Sequence, residues 1–252
     1  KGYLSDLGGP SANMYQMKGI DQKMCDNCSL PSCVFPTICT NLDTDPSKML
    51  DIYREVNAKP EIKKAFVQSG LRYDLMLDKN STHKKADEDY VEQLVTHHVS
   101  GRLKVAPEHT EDRVLKMMRK PSFKIFSEFK NRFDEISKKR NLRQEIIPYF
   151  ISSHPACEPE DMAELAAKTK ALGYKLEQIQ DFTPTPMTLA TVIYYSGVHP
   201  YTMKSVRTAI SKDEKTKQRK FFFWYKEENK NFIRNHLSKL KRFDLTSELF
   251  GK

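Results

Sequence analysis

"QEIIPYFISSHPACEPEDMAELAAKTKALG", residues 144–173, holds one complete folding unit. Its apolar run at 145–151 has the length and composition of a buried strand. Ser152, Ser153, His154 and Pro155 break the run. A helix then opens on Glu158, Pro159, Glu160 and Asp161, negative charge at the positive end of the helix dipole, and stops at Gly173. "YKLEQIQDFTPTP" (174–186) supplies the next strand.

The same plan runs upstream. Pro46 starts a helix on which Met49, Ile52, Tyr53 and Val56 share a face. "KKAFVQSGLRYD" (63–74) reads as a short strand ending in a Ser-Gly turn. A helix around 87–99 follows, with Val91, Leu94, Val95 and His98 in register, which makes His98 a packed ring and His97 a surface residue. "GRLKVAPEHTED" (101–112) gives strand, turn and acidic helix start, and Phe126, Phe129, Phe133 and Ile136 form a helical stripe. Short strands alternating with longer helices predict βα units around a parallel sheet, doubly wound or a barrel. In such sheets ligands bind at the carboxyl ends of the strands. The segments there, "GGPSAN", "SGLR", "PEHTE", "SSHP" and "FTPTP", are polar and rich in glycine and histidine. Chemistry is expected at that end.

A chain of 252 residues with 38% apolar side chains has enough material for a sizeable core. No run approaches the roughly 18–20 apolar residues of a membrane helix. No leader opens the chain, which predicts a cytoplasmic, reducing setting where disulfides are disfavoured. Lys1 in place of Met predicts a piece of a longer protein. Of the net charge of +9, residues 212–242 hold eleven Lys/Arg against four Asp/Glu. That tail is an electrostatic footprint for nucleic acid, or else a docked amphipathic helix with solvated lysines. Phe232, Ile233, His236, Leu237 and Leu240 recur at helical spacing and favour docking.

Cys25, Cys28, Cys33 and Cys39 follow the spacing C-x2-C-x4-C-x5-C, with Pro31 and Pro36 between them. Four thiolates on short spacers suit one tetrahedral zinc or one iron-sulfur cubane. Four free thiols are the alternative, and the identity of any metal stays open. Cys157 stands apart and reads as a small buried residue.

Several blocks together resemble the YgiQ family of radical S-adenosylmethionine (SAM) proteins. They are "GYLSDLGGPSANMYQMKG", the four-cysteine run into "CTNLDTDPSKMLDIYREV", "SGLRYDL", "VTHHVSGRLKVAPEHTEDRVLKMMRKP", "IPYFISSHPACEPEDM" and "QIQDFTPTPMTLATVIYYSG". "QRKFFFWYKEENKNFIRNHLSKLKRFDL" resembles the family's C-terminal extension. The resemblance implies a partial (β/α) barrel over 1–205, with a Cys-rich insertion at 25–39, and a basic, aromatic helical extension over 206–252. It implies an enzyme in which a 4Fe-4S cluster reductively cleaves S-adenosylmethionine, acting on an unknown substrate. The cluster-binding C-x3-C-x2-C loop of such proteins is absent from these residues, so this chain alone is expected to be inactive.

Residue by residue, the resemblance places Gly8 and Gly9 against the methionine amino group, with Pro10 where the family carries Glu. Arg72 would fork the carboxylate and Glu108 would accept from the ribose. Ser152, Ser153 and His154 would lie near the adenine or the substrate. Read from the residues alone, Arg72 is equally an ion-pair partner of Asp74, and Glu108-His109 an opening device for a helix. In an iron-sulfur enzyme the four-cysteine loop would suit an auxiliary cluster as well as zinc. From another class, a non-enzymatic α/β module stapled by zinc would hold RNA through its basic tail.

Overall fold

The computed structural model describes every residue except Gly9, Pro10, Ser69 and Lys252, and for Ala12 the backbone only. The chain runs through β1 (Gly2–Leu4), α1 (Gln22–Asp26), α2 (Ser47–Ala58), β2 (Ile62–Ala65), α3 (Tyr73–Met76), α4 (Lys84–His97) and β3 (Arg102–Glu108). It continues through α5 (Asp112–Met118), α6 (Phe123–Lys139), β4 (Glu145–Ser152), α7 (Pro159–Ala171), β5 (Gln178–Asp181) and α8 (Leu189–Ser196). The last helices are α9 (Lys212–Phe222), α10 (Glu227–Lys239) and α11 (Phe243–Phe250).

The protein is mixed α/β, with parallel strands in two small sheets. β1 pairs with β2 in parallel, Tyr3 opposite Lys64 and Leu4 opposite Ala65. The second sheet has the order β3-β4-β5, and β4 runs parallel to β5 with Ser152 opposite Asp181. Among the described residues the strands do not close into a barrel. No described helix is long and apolar enough to cross a membrane.

The chain divides into two compact units, 1–106 with 124–147, and 107–123 with 148–252. In the first, the phenylalanine stripe of α6 is core: Phe126, Phe129, Phe133 and Ile136 are buried, and the Tyr73 ring lies 5.8 Å from Phe129. His98 is buried as its spacing predicts, and His97 is exposed. The His98 ring packs 4.2 Å from Tyr53, and its Nδ1 lies 2.8 Å from the Ala65 carbonyl, fixing the end of α4 to β2.

In the second unit α7 is the central helix. The acidic opening read from the sequence is a cap: the Glu158 N–H donates to Asp161 Oδ2 at 2.7 Å. Met162, Ala163, Leu165 and Ala166 of α7 pack with Phe221 and Phe222 of α9, Ile233 and Leu237 of α10, and Leu245 and Leu249 of α11. Removing one such side chain, as in Leu237→Ala, costs about 2–5 kcal/mol. The helices of the basic tail therefore dock by burying their apolar face, as the spacing predicts. Their cations also serve the packing, with Lys220 4.4 Å from the Phe232 ring and Arg234 4.9 Å from that of Phe250.

Candidate functional site

The polar residues of the second unit gather where β3 and β4 end. Glu108 closes β3 with a left-handed backbone, φ 67°. After Ser152 closes β4, Ser153 and Ala156 also take positive φ, 62° and 70°. L-residues adopt this region at a cost, and such residues concentrate at functional sites.

Among the described residues two buried polar atoms there have no partner: Glu108 Oε2 and Ser153 Oγ. Buried polar groups are nearly always paired, so an orphaned acceptor and an orphaned hydroxyl on neighbouring strand ends call for a partner. The other Glu108 oxygen lies 3.2 Å from Lys120 Nζ. Burial raises the Glu108 pKa, against the lowering effect of Lys120. Ser152 Oγ donates to Asp181 Oδ1 at 2.7 Å. His154 Nδ1 is 2.9 Å from the Pro155 carbonyl, and its ring meets Phe182 edge-on at 4.9 Å.

Beneath these lies His109, fully buried. Its Nδ1 accepts from the Glu111 N–H at 3.0 Å, which assigns the proton to Nε2, 3.6 Å from Cys157 Sγ. Burial lowers the pKa of His109 to about 3 and that of His154 to about 4. The charge of His154 adds to the effect on His109. Burial pushes the Cys157 thiol well above its ordinary range. At neutral pH both imidazoles are neutral and Cys157 is a thiol, so it is no nucleophile. The arrangement is suited to binding hydroxyls and heterocycle edges by hydrogen bonds, with Glu108 supplying the charge.

Glu108, Ser152, Ser153 and His154, all read from the sequence, thus lie together in one unit. Gly8 and Arg72 lie in the other; Gly8 is exposed, while Gly9, with Pro10, is outside the described residues. Arg72 forks its own neighbour, Nε donating to Asp74 Oδ1 at 2.9 Å and Nη2 to Oδ2. The ion-pair alternative is what its geometry shows. Asn13, which carried no sequence signal, brackets the Arg72 backbone: its Oδ1 accepts from the Arg72 N–H at 2.7 Å and its Nδ2 donates to the carbonyl at 2.9 Å.

The four-cysteine run occupies α1 and the irregular stretch before α2. All four sulfurs are free thiols, Cys28 and Cys33 exposed, Cys25 and Cys39 half-buried. Among the described residues no three His, Cys, Asp or Glu side chains converge as a metal requires. The thiols therefore do not form a preassembled site. Two sulfurs nonetheless accept hydrogen bonds: Cys28 from the Leu30 N–H at 3.4 Å, and Cys25 from Asn41 Nδ2 at 3.3 Å.

Three further residues adjoin Glu108, Ser152, Ser153 and His154: His109, read from the sequence only as part of a helix opening, Asp181, which holds Ser152, and Gln218, whose Oε1 accepts from the Ser153 N–H at 2.8 Å. His109 adjoins Glu108 in the strand-end segment "PEHTE", whereas Gln218 sits in a basic run with no such pattern.

A family model described as "Domain of unknown function (DUF3362)" matches residues 177–249. The chain is 58% identical over 254 residues to a UPF0313 protein of Bacteroides thetaiotaomicron and 57% identical to one of Porphyromonas gingivalis. It is 41% identical over 249 residues to a UPF0313 protein of Pseudomonas aeruginosa. All or nearly all of this chain is covered (100%, 100% and 97%), but only 41%, 40% and 32% of those proteins. The chain thus spans about two fifths or less of their length. Its homologues are UPF0313 proteins, the family that includes YgiQ.

Proposed function

We propose that this chain is part of a radical SAM enzyme and carries one side of the pocket for S-adenosylmethionine in a partial (β/α) barrel. The observation that carries this is the pair of buried, unpartnered atoms, Glu108 Oε2 and Ser153 Oγ, at the carboxyl ends of β3 and β4. A ribose offers hydroxyl donors to a carboxylate, and adenine offers acceptors to a hydroxyl. Ligand hydrogen bonds would satisfy both orphaned atoms and offset the strain of Glu108 and Ser153.

The residues present do not include the C-x3-C-x2-C loop that would hold the SAM-cleaving 4Fe-4S cluster. Held by a C-x3-C-x2-C loop in another part of a longer protein, such a cluster would supply the electron for reductive cleavage of the cofactor. Within this chain the work is binding. Glu108 holds the hydroxyls, Ser153 the heterocycle edge, and neutral His109 and His154 add no positive charge beside Glu108.

Calorimetric titration of the chain with S-adenosylmethionine tests the assignment. Weak binding is expected, reduced by Glu108→Gln and by Ser153→Ala. After anaerobic reconstitution with iron and sulfide the chain alone is expected to yield no 5′-deoxyadenosine, and the longer protein containing it to yield the product. A reconstituted longer protein that forms none would refute the assignment.

A further inference from the structure

We infer that the segment matching the domain of unknown function, 177–249, completes the candidate site by clamping the loop between β4 and α7, with Gln218 as the positioning residue. Five hydrogen bonds and one ring contact carry the inference. Asp181 Oδ1 accepts from Ser152 Oγ at 2.7 Å, and the Phe182 N–H donates to the Ser152 carbonyl at 2.8 Å. The Phe182 ring meets that of His154. The Arg207 carbonyl accepts from the Ala156 N–H at 2.8 Å. Gln218, only 1% exposed, makes the remaining two: its Oε1 accepts from the Ser153 N–H at 2.8 Å and its Nε2 donates to the Cys157 carbonyl at 2.9 Å. Of residues 152–157, only Pro155 lacks a direct tie of this kind to the segment.

The chemistry explains why the residue is glutamine. A carboxamide presents an acceptor and a donor in one plane, and its orientation follows from its partners: an N–H faces the oxygen and a carbonyl faces the nitrogen. Glutamate would offer no donor at neutral pH, and an apolar side chain would orphan both backbone groups in a buried place. The clamp spans Ser153 and Ala156, whose left-handed backbones persist only where their surroundings hold them. Arg219, next on α9, lies 3.6 Å from Asp181, the acceptor of Ser152. Adjacent residues of one helix thus reach both serines, one directly and one through Asp181. The basic run around Gln218 contributes to the site from within.

Hydrogen exchange and mass-spectrometric labelling of Cys157 in the full chain read the clamp without any ligand. Gln218→Met keeps the shape and removes both hydrogen bonds. Exchange across 152–157 is expected to accelerate about tenfold or more, and Cys157 labelling to rise with it. Leu237→Ala, a core deletion that removes none of these hydrogen bonds, compared at the same interval below its own Tm, should show no selective change there. Gln218→Leu also removes both hydrogen bonds without burying a charge, so it should accelerate exchange to a similar extent; it serves if Gln218→Met does not fold. Unchanged exchange at 152–157 in the folded variants, or equal acceleration in Leu237→Ala, would overturn the clamp. The effect on cofactor affinity rests on the function proposed above: Gln218→Met should weaken S-adenosylmethionine binding while Leu237→Ala does not. A wild-type chain that binds none would sink that function and leave the exchange result to decide the clamp.

Discussion

His109 Nε2 lies 3.6 Å from Cys157 Sγ, and both side chains are fully buried. An imidazole in that setting stays neutral because a charge there would lack water. The pair joins the end of β3 to the start of α7 through uncharged groups.

Acid should therefore unfold this unit from an unusually high pH. In the unfolded chain both histidines take up a proton below about 6.5, whereas the folded state resists until about 4 at His154 and about 3 at His109. Between those limits the unfolded state binds more protons, so stability falls as the pH falls. The loss at pH 5 is about 2 kcal/mol per histidine. Glu108 and Asp161, with raised pKa values, act in the opposite sense. The difference between wild type and His109→Gln isolates His109: the variant should lose several degrees less in Tm between pH 7.5 and pH 5. Parallel Tm curves would show that His109 is charged in the folded state.

Glu108→Gln should raise stability at pH 7 while weakening ligand binding. Burial raises the Glu108 pKa despite Lys120, so the ionised form opposes folding, and its Oε2 is unpaired. A neutral amide of the same shape removes the buried charge, though it keeps a polar atom at the unpaired position, and a gain of about 1 kcal/mol is expected in denaturant unfolding. A destabilised variant would show that the ion pair with Lys120 outweighs desolvation.

Much of the fold was legible because period and capping act locally. The Phe126, Phe129, Phe133 stripe and the acidic opening at Glu158 and Asp161 each depend on residues within one helix. The candidate site was legible only in part. Glu108, Ser152, Ser153 and His154 stand at strand ends, a position sequence reveals. Gln218 and Asp181 act across separations of 65 and 29 residues, and no local pattern encodes such pairings. Arg72 shows the converse: Asp74, two residues away, takes its guanidinium.

The four-cysteine loop yields the last prediction. Between Asp26 and Ser47 no helix or strand forms, and the apolar side chains at Leu30, Val34, Phe35, Ile38 and Leu42 are too few to make a core. Irregular stretches of this length are uncommon unless they are functional or fastened by something else. Two thiols already accept N–H donors, from Leu30 and Asn41. Room for a sulfur is also provided, since a Cβ on Gly19 would run into Cys25 Sγ. Binding one zinc would draw Cys25, Cys28, Cys33 and Cys39 to about 2.3 Å from the metal. About one zinc per chain is expected by elemental analysis of protein grown with zinc. A strong chelator should remove it, with loss of order confined mainly to 20–45. Cys28→Ser should abolish metal binding, and Cys157→Ser, at a buried thiol outside the loop, should leave it unchanged. A brown protein absorbing in the visible would assign an iron-sulfur cluster instead. Metal-free protein in which all four thiols react rapidly would leave the loop unfastened and end the proposal.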